Sequence, residues 1–586
     1  MTRKNILFLL MALSAMLLYS CGEDFLYKAP QGSIDQAALM NEQGIDLLTV
    51  NAYANLTENG WGASPFNWTF GGMYGGDANK GSDANDQSIL NEMEQYNVST
   101  TNGYINDKWA WIYRGAKRIN IALQTMAQVE GLPEAFQKTR NGELHFLRAM
   151  AYFEGLKVFG PYIPWIDETV TDNDPKVHND IDIYPKVLED IDIAIRDLPE
   201  KQSQPGRANV WAAKALKAKI LMHKGDLAAA KPILKDVIDN GQTSNGQKYG
   251  LEDDLTANFD SYRENGKESI FAVQFSLEDD NANSGMSLCY PYGGVGAPGG
   301  CCGFYQPSNE LANSFKVDAN GLPLLDNSYR NAPFVDTRYV PGKDEKDYPH
   351  SINNNDVAVD PRIDFAIGRY GIPYKDWGVP RTNWVRDINN GGFYLPKKHV
   401  YTKKELDAGL GSYGIHDGWA PGSAINLQYL SLRDIILQYA ECLANDNDLS
   451  GAMELVNQIR TRAALPVNTI KSDGKPAANY KIANYPTTHA AFTNKEECIK
   501  AVRMERKLEL AMEGHRWFDL VRWGGEYMTK TLSDYVDFEK GHISKFATFN
   551  KLSANKTMFP LPQTQIQTMG NDENGNPYLV QPDAWR

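Results

Sequence analysis

Motifs for the commonest catalytic chemistries are missing from this chain. It has no G-x-x-x-x-G-K-[ST], no H-E-x-x-H and no G-x-S-x-G. Histidine is sparse, with nine scattered residues, and none stands at metal-ligand spacing from any of the six cysteines. Positive charge is in deficit: the formal net charge is −14, which disfavours a nucleic-acid partner, because phosphate contacts need a basic surface. The N-terminal apolar run, Ile6 to Leu18, is too short to cross a bilayer. Gly294-x-Gly296-x-x-Gly299 fits the dinucleotide fingerprint as a string, but Pro298 lies inside it, no apolar strand precedes it and no helix follows.

Aromatic residues are abundant, with 30 Tyr and 12 Trp in 586 residues. They suit a core, a recognition surface, or both. The chain is organised around Glu505–Gly524, ERKLELAMEGHRWFDLVRWG. It reads as the end of one helix, a corner at Gly514 and the start of another. Glu505, Glu509 and Glu513 recur every four residues and so stack in one row. Such a row needs cations, and Arg503, Arg506, Arg516 and Arg522 are the nearest in sequence. Glu513 and His515 are two positions apart and point to different sides of a helix, so the cluster reads as an ion-pair network ahead of a catalytic site.

Helical periodicity covers 35–56, 109–127, 142–162, 181–198 and 206–223. Asp226 is placed to cap the helix after Gly225. The resulting helix-turn-helix is echoed by Leu437–Ala463, where Asp448-Leu449-x-x-Ala452 answers Asp226-Leu227-x-x-Ala230, as in tetratricopeptide pairs. Between the copies periodicity fades, Glu268–Phe275 reads as a short strand, and 285–303 is nearly all loop. Trp109, Trp111, Trp211, Trp517 and Trp523 lie on helical segments and are expected in the core, whereas Trp61, Trp68, Trp377, Trp384 and Trp419 lie in Gly/Pro/Asn-rich loops. About two of those five are expected to touch a ligand, since sites join a few aromatics to a few placed polar groups. Tyr290 and Tyr292 join them as candidates. Asp77, Asn79 and Asp83 alternate like a calcium loop, but the distal acidic residue is missing; such alternation is more often turn chemistry, and it also suits bonding to sugar hydroxyls. Cys301-Cys302 pairs either with itself or through one thiol with Cys289, or stays reduced; a neighbour disulfide would offer an apolar face to a sugar ring. Cys442 and Cys498 are expected to be buried thiols.

Arg3 and Lys4 before the apolar run give a secretory signal, 1–20, that ends in Leu18-Tyr19-Ser20-Cys21. This resembles a bacterial lipobox, with Cys21 as the lipidated first mature residue. Residues 21–34 form an extended tether; a dozen of them at roughly 3.3 Å each would reach some 40 Å.

The pattern ER-x-L-E-L-A-x-E-G-x-R-W-x-D-L-x-R-W-G resembles the C-terminal signature of the SusD/RagB family of Bacteroidetes surface lipoproteins. Cys21-x-x-x-Phe25-Leu26-x-x-x-Pro30, Gly142-Glu143-x-x-Phe146-Leu147-Arg148-Ala149, Asp360-Pro361-Arg362 and Phe559-Pro560-Leu561-Pro562-Gln563 resemble further landmarks. The resemblance implies a mainly α fold: one domain over 35–586, with a helical scaffold at 35–245 and 425–530, a loop-rich specificity region at 246–424 and an irregular C-terminal region at 531–586. It also implies a non-catalytic protein without cofactor, anchored in the outer membrane and facing outward. Such a protein binds an oligosaccharide through the loop aromatics, Asp77, Asn79, Asp83 and Arg381, and passes it to a SusC-like TonB-dependent transporter. A peptide-binding member of the family, a surface glycosidase and a helical scaffold without small ligand stand as alternatives.

Overall fold

A computed structural model describes residues 36–57, 60–172, 174–278, 282–293, 296–333, 357–415 and 418–586. The signal, the tether and Cys21 lie outside the described residues.

Eleven principal helices build the scaffold: α1 (Glu42–Ala54), α2 (Gly103–Gln128), α3 (Glu134–Phe159), α4 (Tyr184–Asp197), α5 (Val210–Lys224), α6 (Leu227–Asn240), α7 (Leu432–Asn445), α8 (Leu449–Ala463), α9 (Lys495–Glu509), α10 (Arg516–Arg522) and α11 (Gly525–Glu539). The sequence dictates their ends. Asn41, Asn102 and Asn209 accept from the first-turn amides of Gly44, Tyr104 and Ala212. Asp226 and Asp448 do the same for α6 and α8, at 3.1 and 2.9 Å. Gly225 ends α5 at φ +87°, a conformation that favours glycine.

The two echoing pairs, α5–α6 and α7–α8, pack against each other although their partner residues stand 215 positions apart. Lys219 on α5 pairs with Asp434 on α7 at 2.8 Å, and Cys442 on α7 sits 3.5 Å from the Met222 sulfur. Ala212, Ala213, Ala215 and Ala218 are wholly buried, and their small size lets the helices approach.

Among the described residues, six strands of four or more residues form two-stranded antiparallel pairs: β1 (Ala78–Gly81) with β3 (Phe304–Pro307), β2 (Ser269–Val273) with β6 (Leu427–Ser431), and the hairpin β4 (Gly411–Ile415) with β5 (Ala420–Ser423). Asn79 faces Gln306, Val273 faces Leu427, and Ser412 faces Gly422. The first two pairs join segments distant in sequence, while β4–β5 is a local hairpin.

The chain after Gly524, expected to be irregular from 531, instead continues the scaffold to Glu539. Met528, Leu532, Tyr535 and Val536 recur at helical spacing and are buried. The adjacent glycines 524 and 525 read as a stop but sit at the helix start, with Gly524 as the cap residue.

Candidate functional site

The signature corner fixes the ground on which the loops stand. Gly514 has φ +73°, and a Cβ there would lie 2.0 Å from the Phe66 carbonyl oxygen. The corner therefore packs backbone against the segment that follows Trp61. Three stacked carboxylates about 6 Å apart would repel by about 3 kcal/mol per neighbouring pair at an effective dielectric near 20. Cations oppose this, but not those nearest in sequence. Glu505 meets Arg362 at 2.6 Å and Arg460 at 3.1 Å; Glu509 meets Arg362 and Arg462; Glu513 meets Lys398 at 2.6 Å and Arg433 at 2.7 Å. The expected partners serve elsewhere. Arg506 and Arg522 pair with Asp519, and respectively with Asp434 and Glu441, while Arg503 and Arg516 lie over Trp523. A helix row faces one way, so its counter-charges come from whatever packs on that face, not from the row's own turns.

Burial pushes the Glu513 carboxyl up, but Arg433 and Lys398 outweigh it and hold it well below the usual range. Burial, reinforced by Lys219, lowers His515 to about 4, so at neutral pH it is uncharged. These groups are paired and enclosed, and the cluster is an ion-pair network that ties Lys398 and Arg433 to the corner.

Six expected ligand residues belong to the interior instead, among them Cys302, which is 2% exposed in the core beside Phe304 and Tyr305 in sequence. Trp68 is fully buried against Phe304 and Tyr305, and its indole donates to the Trp61 carbonyl at 2.8 Å. Asn79 donates to the Gly391 carbonyl and accepts from the Tyr535 hydroxyl. Asp77 is buried behind β1, and burial raises its carboxyl to about 6 against the pull of Arg516 and Lys507. Tyr290 and Trp384 lie with Tyr374, Leu395 and Tyr401 in a small satellite core. Side chains set among Gly and Pro in sequence are here the plugs that hold irregular backbone in place. Asp77, Asn79 and Asp83 also turn to different partners, so the alternation does not assemble a calcium ligand set.

The remaining candidates reach the surface in three groups. Trp61 is half-buried, donates to the Ser287 hydroxyl at 2.9 Å and meets Trp419 edge-to-face at 5.6 Å; Trp419, at the turn of the β4–β5 hairpin, is 46% exposed. Trp377 donates to the Tyr401 carbonyl at 2.9 Å and lies 6.3 Å from Tyr413, on β4 and equally exposed. Tyr292 is exposed, and the Arg386 guanidinium stands 5.2 Å over its ring. Arg386 in turn pairs with Asp83 at 2.7 Å and Asp86 at 2.5 Å. Cys301 and Cys302 are bonded to each other, and a Cβ on the following Gly303 would lie 3.2 Å from that of Tyr292, so the disulfide turn stands beside this third group. Cys289 is a free, buried thiol, as are Cys442 and Cys498. Arg381 is exposed on the loop before Trp384. Tyr401 ties the second group to the satellite core: its ring lies 5.2 Å from Tyr290 and 6.1 Å from Trp377, and its hydroxyl donates to the Pro298 carbonyl at 2.5 Å.

Sequence reading missed Tyr413, Asp86 and Arg386. The hairpin G-S-Y-G-I was the available signal for Tyr413; nothing in sequence ties Arg386 to Asp83 and Asp86 some 300 positions away. The exposed rings thus form three groups, one of them edged by an Arg–carboxylate cluster, and aromatic faces with such neighbours are suited to stacking on flat apolar ring faces and bonding a few hydroxyls.

Comparison with known proteins agrees with the landmarks. Residues 267–581 match the model described as "SusD family", and residues 24–222 match "Starch-binding associating with outer membrane". A "SusD-like protein" of Bacteroides ovatus is 22% identical over 570 residues, covering 91% of this chain and 85% of that protein. A SusD superfamily protein from Bacteroides vulgatus superposes with a TM-score of 0.66 at 20% identity, covering 93% and 99% of the two chains. A "Laminarin binding SusD-like protein" superposes at 0.63, also at 20% identity, covering 93% and 99%. With more than half its length matched, and the helical architecture shared, this chain belongs to the SusD family.

Proposed function

We propose that this chain is a lipoprotein that captures a glycan at the outer surface of the outer membrane and hands it to a SusC-like TonB-dependent transporter. Cys21 carries the acyl anchor, and 22–34 forms the tether. Glycan is held by Trp61, Trp377, Trp419, Tyr413 and Tyr292, with the Cys301–Cys302 turn beside Tyr292. Asp83, Arg381 and Arg386 bond its hydroxyls. No covalent step is performed and no cofactor is needed, because stacking and hydrogen bonding suffice for a cargo that must be released.

The observation that carries this reading is the Trp61–Trp419 pair, with Trp419 held 46% exposed on a hairpin tip. A large aromatic surface costs free energy to leave in water, about 25 cal/mol per Å². Its retention beside further exposed rings marks a contact face. The laminarin-binding relative of the same fold supports a glycan as ligand. Isothermal titration against laminarin and a panel of other neutral and acidic glycans, with product analysis of each mixture, tests it. Saturable binding of at least one glycan without turnover is expected; cleavage, or binding of none of them, would refute it.

A further inference from the structure

Beside the signature corner lies a cavity of about 30 Å³, walled by the 255–259 segment, by Arg433 on α7 and Arg462 on α8, and by Glu509 and Glu513. At roughly 10–15 Å³ per water it admits about two waters or one monatomic ion, and no sugar ring. Arg362, Lys375 and Lys398 complete its charged lining, so five cations line it against two carboxylates.

The network behind these walls does not cancel that excess. Arg362, Arg433, Arg460, Arg462 and Lys398 share the glutamate row together with Glu268 and Asp360, five cations for five carboxylates. Lys375 is a sixth cation. Its ammonium donates to the Val400 carbonyl and, at 3.4 Å, to that of Lys398, and it forms no ion pair among the described residues. Glu405 acts on it from beyond ion-pair distance, with its own oxygens turned to the Ser261 amide and to the Thr402 amide and hydroxyl.

Unmet donors stand at the same cavity. Arg462 bonds Glu268 and Glu509 through its terminal nitrogens, while its buried Nε–H has no acceptor among the described residues. The buried Asn258 carboxamide, also in the lining, makes no hydrogen bond among them either. A buried N–H without an acceptor is costly, and native structures rarely keep one. Spare N–H groups and one surplus positive charge around a single small space call for an acceptor that is itself negative.

We propose that this cavity is an anion site: it holds one small monovalent inorganic anion, of the size of chloride, which accepts from Arg462, Lys375 and Asn258 and balances the surplus charge. The inference is independent of the glycan reading. Lys375 shares a turn with Trp377, in which the Tyr374 amide donates to the Gly378 carbonyl at 2.8 Å. The ion therefore fastens that turn to α7 and α8.

The test uses the full chain in sodium gluconate, whose anion is too large to enter, with chloride added at constant ionic strength. Chloride NMR should show excess line width that saturates and that bromide displaces. Lys375→Met removes the surplus cation without stranding a carboxylate, so it should fold and weaken chloride at least about tenfold, the cost of one charge-assisted hydrogen bond. Amide exchange at 374–378 should slow in chloride in the wild type and not in Lys375→Met. Crystals of the wild type grown in bromide should show an anomalous peak in the cavity. Line width that does not saturate, an unchanged chloride affinity in Lys375→Met, exchange at 374–378 indifferent to chloride, or only water in the cavity of the bromide crystals would overturn the assignment.

Discussion

Replacing Glu513 by glutamine tests the claim that the signature corner is an electrostatic clamp. The carboxylate meets Lys398 at 2.6 Å and Arg433 at 2.7 Å, and all three side chains are at least nine-tenths buried. At such distances each pair is worth about 6 kcal/mol of gross attraction with an effective dielectric near 20. Desolvation has already consumed most of that, so the useful quantity is the cost of stranding the cations, about 3–5 kcal/mol. Two features favour the low end. Lys398 also donates to the Glu509 carbonyl and has its pKa lowered by burial, so it can deprotonate; Arg433 keeps Glu268 at 3.0 Å. The expected loss is thus about 3 kcal/mol at pH 7. For a chain this long it lowers the melting temperature by about 2–3 °C, using the usual unfolding entropy per residue. The sign with pH is fixed as well. The Glu513 carboxyl titrates well below its ordinary value of 4.5 in the folded state, so its contribution is present above 4.5 and is lost as pH falls through the folded value. Denaturant unfolding of wild type and Glu513→Gln from about pH 2 to 8 reads this directly. A difference below about 1 kcal/mol at pH 7, smaller than any buried pair should give, would refute the clamp.

Other consequences are independent of that cluster. Glu539 is fully buried, accepting from the Asn309 side chain and the Glu310 amide, and burial raises its carboxyl to about 7. Its stabilising contribution is full below 4.5 and is lost as pH rises through about 7, so Glu539→Gln should be near neutral at about pH 4 and stabilise by about 1–3 kcal/mol at pH 8, as unfolding curves will show. Gly514→Ala forces a Cβ to 2.0 Å from the Phe66 oxygen at positive φ and should cost at least about 2 kcal/mol, or prevent folding, judged by soluble yield and calorimetry. Burial raises the Cys289 thiol well above its ordinary value, so alkylation before denaturation should leave it and the buried Cys498 unlabelled, while a non-reduced digest keeps Cys301 and Cys302 joined.

Much of the scaffold was legible because it is local. Asp226 and Asp448 announce their helices through capping, and the paired small-residue helices repeat a readable design. The corner was legible too, since only glycine fits the Gly514 backbone. The partners of the glutamate row were not, because Arg362, Lys398, Arg433, Arg460 and Arg462 arrive from four other segments. The same limit governed the ligand surface. Trp68 and Trp61 share one loop and one composition, yet Trp68 is fully buried against Phe304 and Tyr305 while Trp61 turns to the exposed Trp419. Which side of an irregular backbone faces solvent is decided by the elements packed beneath it. No periodicity records that decision, whereas amphipathic helices such as α2, α4 and α7 carry theirs in a 3.6-residue rhythm.

The most direct measurement is calorimetric titration of laminarin, or whichever panel glycan binds the wild type, against Trp419→Ala. Trp419 is exposed, so its removal should leave the melting temperature within about 1 °C. As a central aromatic anchor it should contribute about 2 kcal/mol, a loss of roughly 30-fold in affinity. Unchanged affinity in Trp419→Ala, with Trp61 beside it equally dispensable, would contradict the account, since the exposed Trp61–Trp419 pair is the observation that carries it.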